Sequence, residues 1–201
     1  MTIVMADARV AAVPVEDRGE SLVPVMIGAP TLLRSSVALR LAHAATLLPA
    51  GVAFHVVEGY RPPSRQAEII AAYEAELREH YGELDGVRRA ELSSRFVAPL
   101  DVAPHVAGAA IDLTLVDGDG TLLDLGTPVD ATPEASNGAC YFDSDLISAD
   151  ARELRRVLAS ALERAGFVNY PTEWWHWSYG DRYWALVSGR SHALYGPVAE
   201  R

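Results

Sequence analysis

Lysine is absent from this chain: all 17 basic residues are arginine. That excludes Schiff-base and other lysine-dependent chemistry. Cysteine is nearly absent as well, and the single Cys140 leaves no internal disulfide to form, which fits a reducing, cytoplasmic location. Long apolar runs are missing, so no membrane-spanning helix is predicted. The opening residues, MTIVMADARVAAVPVEDRGE, contain neither a basic n-region nor a continuous apolar h-region, and no secretory signal is expected. There is no strongly basic run either. With 27 acidic residues and a formal charge of −10, nucleic acid and anionic membranes are poor partners.

What is present is ordinary globular material, 50% hydrophobic and 22% charged, with no internal repeat and no linker. A single domain over 1–201 is predicted, with residues 1–30 as an N-terminal extension packed on or covering the site. From Thr31, a good N-cap, the residues Leu33, Val37, Leu41, Ala44 and Leu48 mark one face of a helix that Pro49 ends. VAFHVVEGY (52–60) alternates as a strand and enters RPPSRQ, after which Ser64 is placed to cap a helix over about 65–81. A short exposed helix is expected near 88–95. AAIDLTLV reads as a strand, DGDG as its hairpin turn and TLLDLG as the return. Ser148 caps a further helix that Gly166 closes, and the residues from Phe167 to Val187 read as final strands. The fold class is α+β, a small antiparallel sheet with helices packed on it.

Chemistry concentrates in two places. In PHVAGAAID, His105 sits in a loop and Asp112 lies on the strand face opposite Ile111 and Leu113. They are two metal ligands, or a loop histidine and a strand aspartate bonded to each other. In TEWWHWSYGDRYW, residues 172–184, four Trp and two Tyr surround Glu173 and His176. On a strand, a spacing of three puts these two on opposite faces, so both reach one site only if the backbone bends near Glu173. The alternative is a core strand with a satisfied histidine. Taken together, His105, Asp112 and His176 form a two-imidazole, one-carboxylate set that suits zinc with a fourth position for water. Glu173 then becomes the adjacent base. Arg61, locked between Tyr60 and two prolines, presents a permanent cation to a developing oxyanion, or simply pairs with Glu58 or Glu68. DGDGTLLDLGTP begins like a calcium loop but has Leu122 and Pro128 where glycine and glutamate belong, and reads as a turn.

HVAGAAIDLTL and EWWHW, with VVEGYRPPSRQ upstream, resemble the VanX-type D-alanyl-D-alanine dipeptidases. These belong to the zinc peptidase group that also contains D,D-carboxypeptidases, endolysin endopeptidases and the hedgehog signalling domain. The resemblance covers about residues 52–184 and implies one Zn2+ per chain held by His105, Asp112 and His176. It also implies Glu173 as general base and then acid, and Arg61 as oxyanion stabiliser. It further implies that Asp130, at the end of LGTPVD, binds the ammonium of a small peptide substrate. The expected activity is hydrolysis of D-alanyl-D-alanine or a related short peptide. A D,D-carboxypeptidase, a peptidoglycan stem-peptide endopeptidase or a non-catalytic zinc-stabilised binding module are the alternatives. This sequence departs from the group's signature at Ala103, where a serine is usual, and at Leu125 and Val129, where Met and Phe are usual. The departures bear on substrate choice and leave the expected catalytic set intact.

Overall fold

Two antiparallel sheets organise the chain in the computed structural model, which describes residues 2–199. Met1 of the predicted extension, and Glu200 and Arg201 of the predicted domain, lie outside the described residues. The elements are α1 (Ala8–Ala11), β1 (Leu22–Val25), β2 (Thr31–Arg34), α2 (Ser35–Ala45), β3 (Val52–Glu58), α3 (Pro63–Tyr81) and α4 (Gly86–Ser93). They continue with β4 (Ala110–Asp117), α5 (Ala149–Arg164), β5 (Val168–Tyr170), β6 (Glu173–Ser178) and α6 (Arg182–Val187). β1 and β2 form a small hairpin, and the main sheet runs β3-β4-β6-β5. This is the expected α+β architecture. Among the described residues, no helix is long and apolar enough to cross a membrane.

β4 is the centre of the molecule. Its alternation places Ile111, Leu113 and Leu115 in the main core with Val37 and Leu41 of α2 and Leu158 and Leu162 of α5. Asp112 and Thr114 take the opposite face and are buried too. α5 starts as its sequence predicts, the Ser148 hydroxyl accepting from the Ala151 amide, and Gly166 follows its last turn with φ of 90°.

Four local expectations are corrected. Thr31 does not cap a helix. Residues 31–34 pair with β1 instead, and α2 begins at Ser35, where the Glu20 carboxylate accepts from the Ser36 amide at 2.8 Å. Ser64 likewise does not cap α3. That helix enters through Pro62 with a proline at its first position and no side-chain cap. The stretch after DGDG is not a full return strand: it contributes a single bridge, Val116 to Leu122. Finally, the aromatic stretch does not stay extended to Val187. Asp181 accepts from the amides of Tyr183 and Trp184 and starts α6.

Candidate metal centre and active site

β4 and β6 bring the two motifs together, because Asp112 and His176 are direct cross-strand partners. His105 arrives from the loop before β4. Its chain reverses at Gly108, which has φ of 65° and where a side chain would run into Leu22. The loop is fixed to the VVEGYRPP segment twice: the Arg61 amide donates to the His105 carbonyl, and His105 Nδ1 lies 2.7 Å from the Gly59 carbonyl. Gly59 must be glycine, since a Cβ there would meet the Leu32 carbonyl at 2.7 Å.

The three side chains converge closely. His105 Nε2 is 3.1 Å from His176 Nδ1, His176 Nδ1 is 3.0 Å from Asp112 Oδ1, and His105 Nε2 is 3.2 Å from Asp112 Oδ2. Two bonds of about 2.0–2.1 Å at a tetrahedral angle hold their donor atoms roughly 3.3 Å apart, so the triangle has the size of one face of a zinc tetrahedron. The chemistry of the donors also fits. The Gly59 carbonyl can only accept, so His105 Nδ1 carries the hydrogen and Nε2 turns a lone pair toward a second imidazole and a carboxylate. Three such groups, each at most 4% exposed, form a ligand set that could hold a metal ion. Burial alone would raise the Asp112 pKa, but the two imidazoles outweigh it and hold the carboxyl far below its usual range. Burial lowers His176, whereas His105 is raised, its burial outweighed by Asp112.

Glu173 reaches the same spot, its Oε2 lying 3.7 Å from His176 Nδ1. The predicted bend is present: Asn169 pairs with Trp177, but the next residue, Tyr170, pairs with Glu173, so β6 bulges between them. What supports this bulge is a residue that carries no signal in the sequence. The Asn169 side-chain amide donates to the carbonyls of Glu173 and His176, each at 3.0 Å, replacing ladder bonds the bulge removes. Asn169→Ala is therefore expected to cost about 1–3 kcal/mol, measured by urea unfolding of the metal-free protein. Burial, with Asp112 and Asp130 nearby, pushes Glu173 well above the ordinary carboxylate value.

Arg61 pairs with Glu58, one of the two partners its sequence offers, and also faces the site. Its guanidinium donates to Gln66 Oε1 at 2.8 Å, and it lines the cavity that holds the donor triangle. That cavity, about 360 Å³, is also lined by Asp130 and Ala103. Asp130 has φ of 64°, a left-handed conformation that aspartate tolerates better than most residues. Its side chain is exposed, yet displacement of water on the side facing the protein, with Asp112 and Glu58 nearby, pushes its carboxyl up to about 6. Met5, buried and hydrogen-bonded through its amide to the Tyr170 hydroxyl, forms another part of the wall.

A family model described as D-Ala-D-Ala dipeptidase matches residues 23–192. The chain belongs to this dipeptidase family. A D-alanyl-D-alanine dipeptidase of Synechocystis sp. is 28% identical over 230 residues, spanning 94% of this chain and 93% of that protein. One of Enterococcus faecium is 33% identical over 131 residues, 62% of this chain and 60% of its own length. Among solved structures, VanYB in complex with D-alanine-D-alanine has the same fold, with a TM-score of 0.56 at 19% identity over 92% of this chain and 94% of that one. The dipeptidase family match spans both motifs and the Arg61 and Asp130 segments.

Proposed function

We propose that this member of the dipeptidase family hydrolyses D-alanyl-D-alanine or a closely related free dipeptide with one zinc ion per chain. The observation that carries the reading is the buried triangle of His105, Asp112 and His176 with Glu173 beside it in a small cavity. Zinc bound there would acidify a water and polarise the scissile carbonyl.

The protein's own residues supply the rest. Glu173, made more basic than a surface carboxylate by its burial, takes the proton of the attacking water and passes it to the leaving amine. Arg61 stabilises the charge that develops on the carbonyl oxygen, and Glu58 and Gln66 hold its guanidinium in place for that task. Asp130 binds the substrate ammonium. The cavity lies near the lower end of the ~300–1,000 Å³ typical of small-molecule sites, which suits a short peptide. Residues 1–30 act as part of the same single domain, and Met5 limits the cavity on one side. We place the reaction in the cytoplasm, in keeping with the free thiol of Cys140.

Comparing free D-Ala-D-Ala with its N-acetylated form tests the assignment of substrate class. Preference for the free dipeptide is expected; equal cleavage of both would favour a carboxypeptidase. The Asp130 role also predicts a pH dependence. A carboxyl raised to about 6 is charged above that pH and neutral below it. KM for free D-Ala-D-Ala should therefore rise in acid, with a midpoint at or below about 6 because bound zinc offsets the Asp112 charge that helps to raise this carboxyl, and Asp130→Asn should raise KM at neutral pH and remove this dependence. Steady-state kinetics from pH 5 to 8 read both effects.

A further inference from the structure

A second group of polar atoms lies behind the donor triangle. His176 Nε2, Ser178 Oγ and Asp181 Oδ2 are all buried, and none has a hydrogen-bond partner of good geometry. Their residues are 4%, 1% and 2% exposed. The pleat of β6 points residues 176 and 178 to the same face, and Asp181 follows the turn at Gly180, which has φ of 88°. The three act on one another: burial raises the Asp181 carboxyl, while the Ser178 hydroxyl and the His176 ring both oppose that rise. A buried polar atom left unpaired costs about 1–3 kcal/mol, and native proteins rarely leave several together.

The donor triangle explains what this group is for. His176 directs Nδ1 at Asp112 and His105, and to act as a ligand that nitrogen must offer its lone pair. A neutral imidazole then carries its hydrogen on Nε2, and that N–H needs an acceptor. The Tyr170 ring is edge-on to His176, but its hydroxyl is engaged by the Met5 amide and the Ser94 carbonyl. Asp181 Oδ1 is occupied by the α6 amides at 2.8 and 3.1 Å, which leaves Oδ2 as the acceptor facing inward.

We propose that Asp181 is a positioning residue for the metal centre: with Ser178 it holds one ordered water that accepts from His176 Nε2–H, fixing the tautomer and orientation of this ligand. Such a water accepts one hydrogen bond and donates two, to Asp181 Oδ2 and Ser178 Oγ, within the usual complement of a buried water. The proposal rests on the zinc reading above. Acceptor partners of this kind orient metal-binding histidines and raise their basicity.

Asp181→Asn tests it, because asparagine caps a helix about as well as aspartate while removing the charge. Zinc affinity is measured by chelator competition, the stability of the metal-free protein by thermal melting, and the His176 tautomer by nitrogen-15 NMR of the imidazole. The expected result is zinc binding weakened by about 10–100-fold, a shifted Nε2–H resonance and a metal-free melting temperature no lower than that of wild type. Ser178→Ala, which leaves the α6 cap in place, should weaken zinc binding by a smaller factor. It carries the test if Asp181→Asn does not fold. Normal zinc affinity and an unmoved resonance in the folded variants would overturn the proposal. So would a loss confined to metal-free stability. Wild-type protein that takes up no zinc would overturn the metal-centre reading itself, and this inference with it.

Discussion

Glu173→Gln is expected to retain one zinc per chain and to hydrolyse D-Ala-D-Ala about 10²–10⁴-fold more slowly than wild type, the usual range for a lost general base. Glutamine keeps the size of the side chain and its place at the start of β6, so the donor triangle should be undisturbed. The argument for so large an effect is positional. Glu173 is a buried carboxylate that lines the same cavity as the triangle without belonging to it, at 3.7 Å from His176 Nδ1. The same residue carries a stability cost in the metal-free protein. Its carboxyl is raised well above 4.5 in the fold, so the contribution of this one group to stability is most favourable at low pH and is lost as pH rises from about 4.5 through the folded-state value. Metal-free Glu173→Gln should therefore melt no lower than wild type at neutral pH, and the difference should shrink in acid. Slow turnover accompanied by zinc loss would show that Glu173 is a ligand or a structural residue.

Removing the metal should be equally severe. A chelator, or His105→Ala, is expected to abolish hydrolysis, because the proposed zinc activates the water and polarises the carbonyl. Stability should respond in the same experiment. Zinc at 100 times its dissociation constant adds about 2.7 kcal/mol, which for a domain of this size corresponds to roughly 5–10 °C in melting temperature. Wild type should show that shift and His105→Ala should lose most of it, read by thermal melts with and without zinc.

The site was legible in the sequence to the extent that its chemistry is local. HVAGAAID puts ligand-type residues on a strand and the loop that enters it, EWWHW puts one on a second strand, and period-two alternation in β4 already separated Asp112 from the core-facing Ile111 and Leu113. The need for a bend at Glu173 also followed from strand geometry. What supports that bend did not: Asn169 matters only because β6 bulges across from it, and an isolated asparagine in FVNYP carries no such signal. The misread helix start has a similar cause. Thr31 is a good cap by type, but pairing with β1 makes residues 31–34 a strand, and the cap of α2 comes from Glu20, fifteen or more residues away. At the other end, the aromatic residues of DRYWAL suggested a strand by propensity, and the aspartate that caps α6 stood just ahead of them. Long-range partners decided each of the first two cases; in the third, a local cap outweighed side-chain preference.

A zinc titration of metal-free protein, read at once for bound metal and for cleavage of free D-Ala-D-Ala, tests the central claim most directly. Binding and activity should rise together and both should saturate at one equivalent per chain, with His105→Ala showing neither. Hydrolysis that persists in the chelated protein, or zinc that saturates His105→Ala as it does the wild type, would contradict the account.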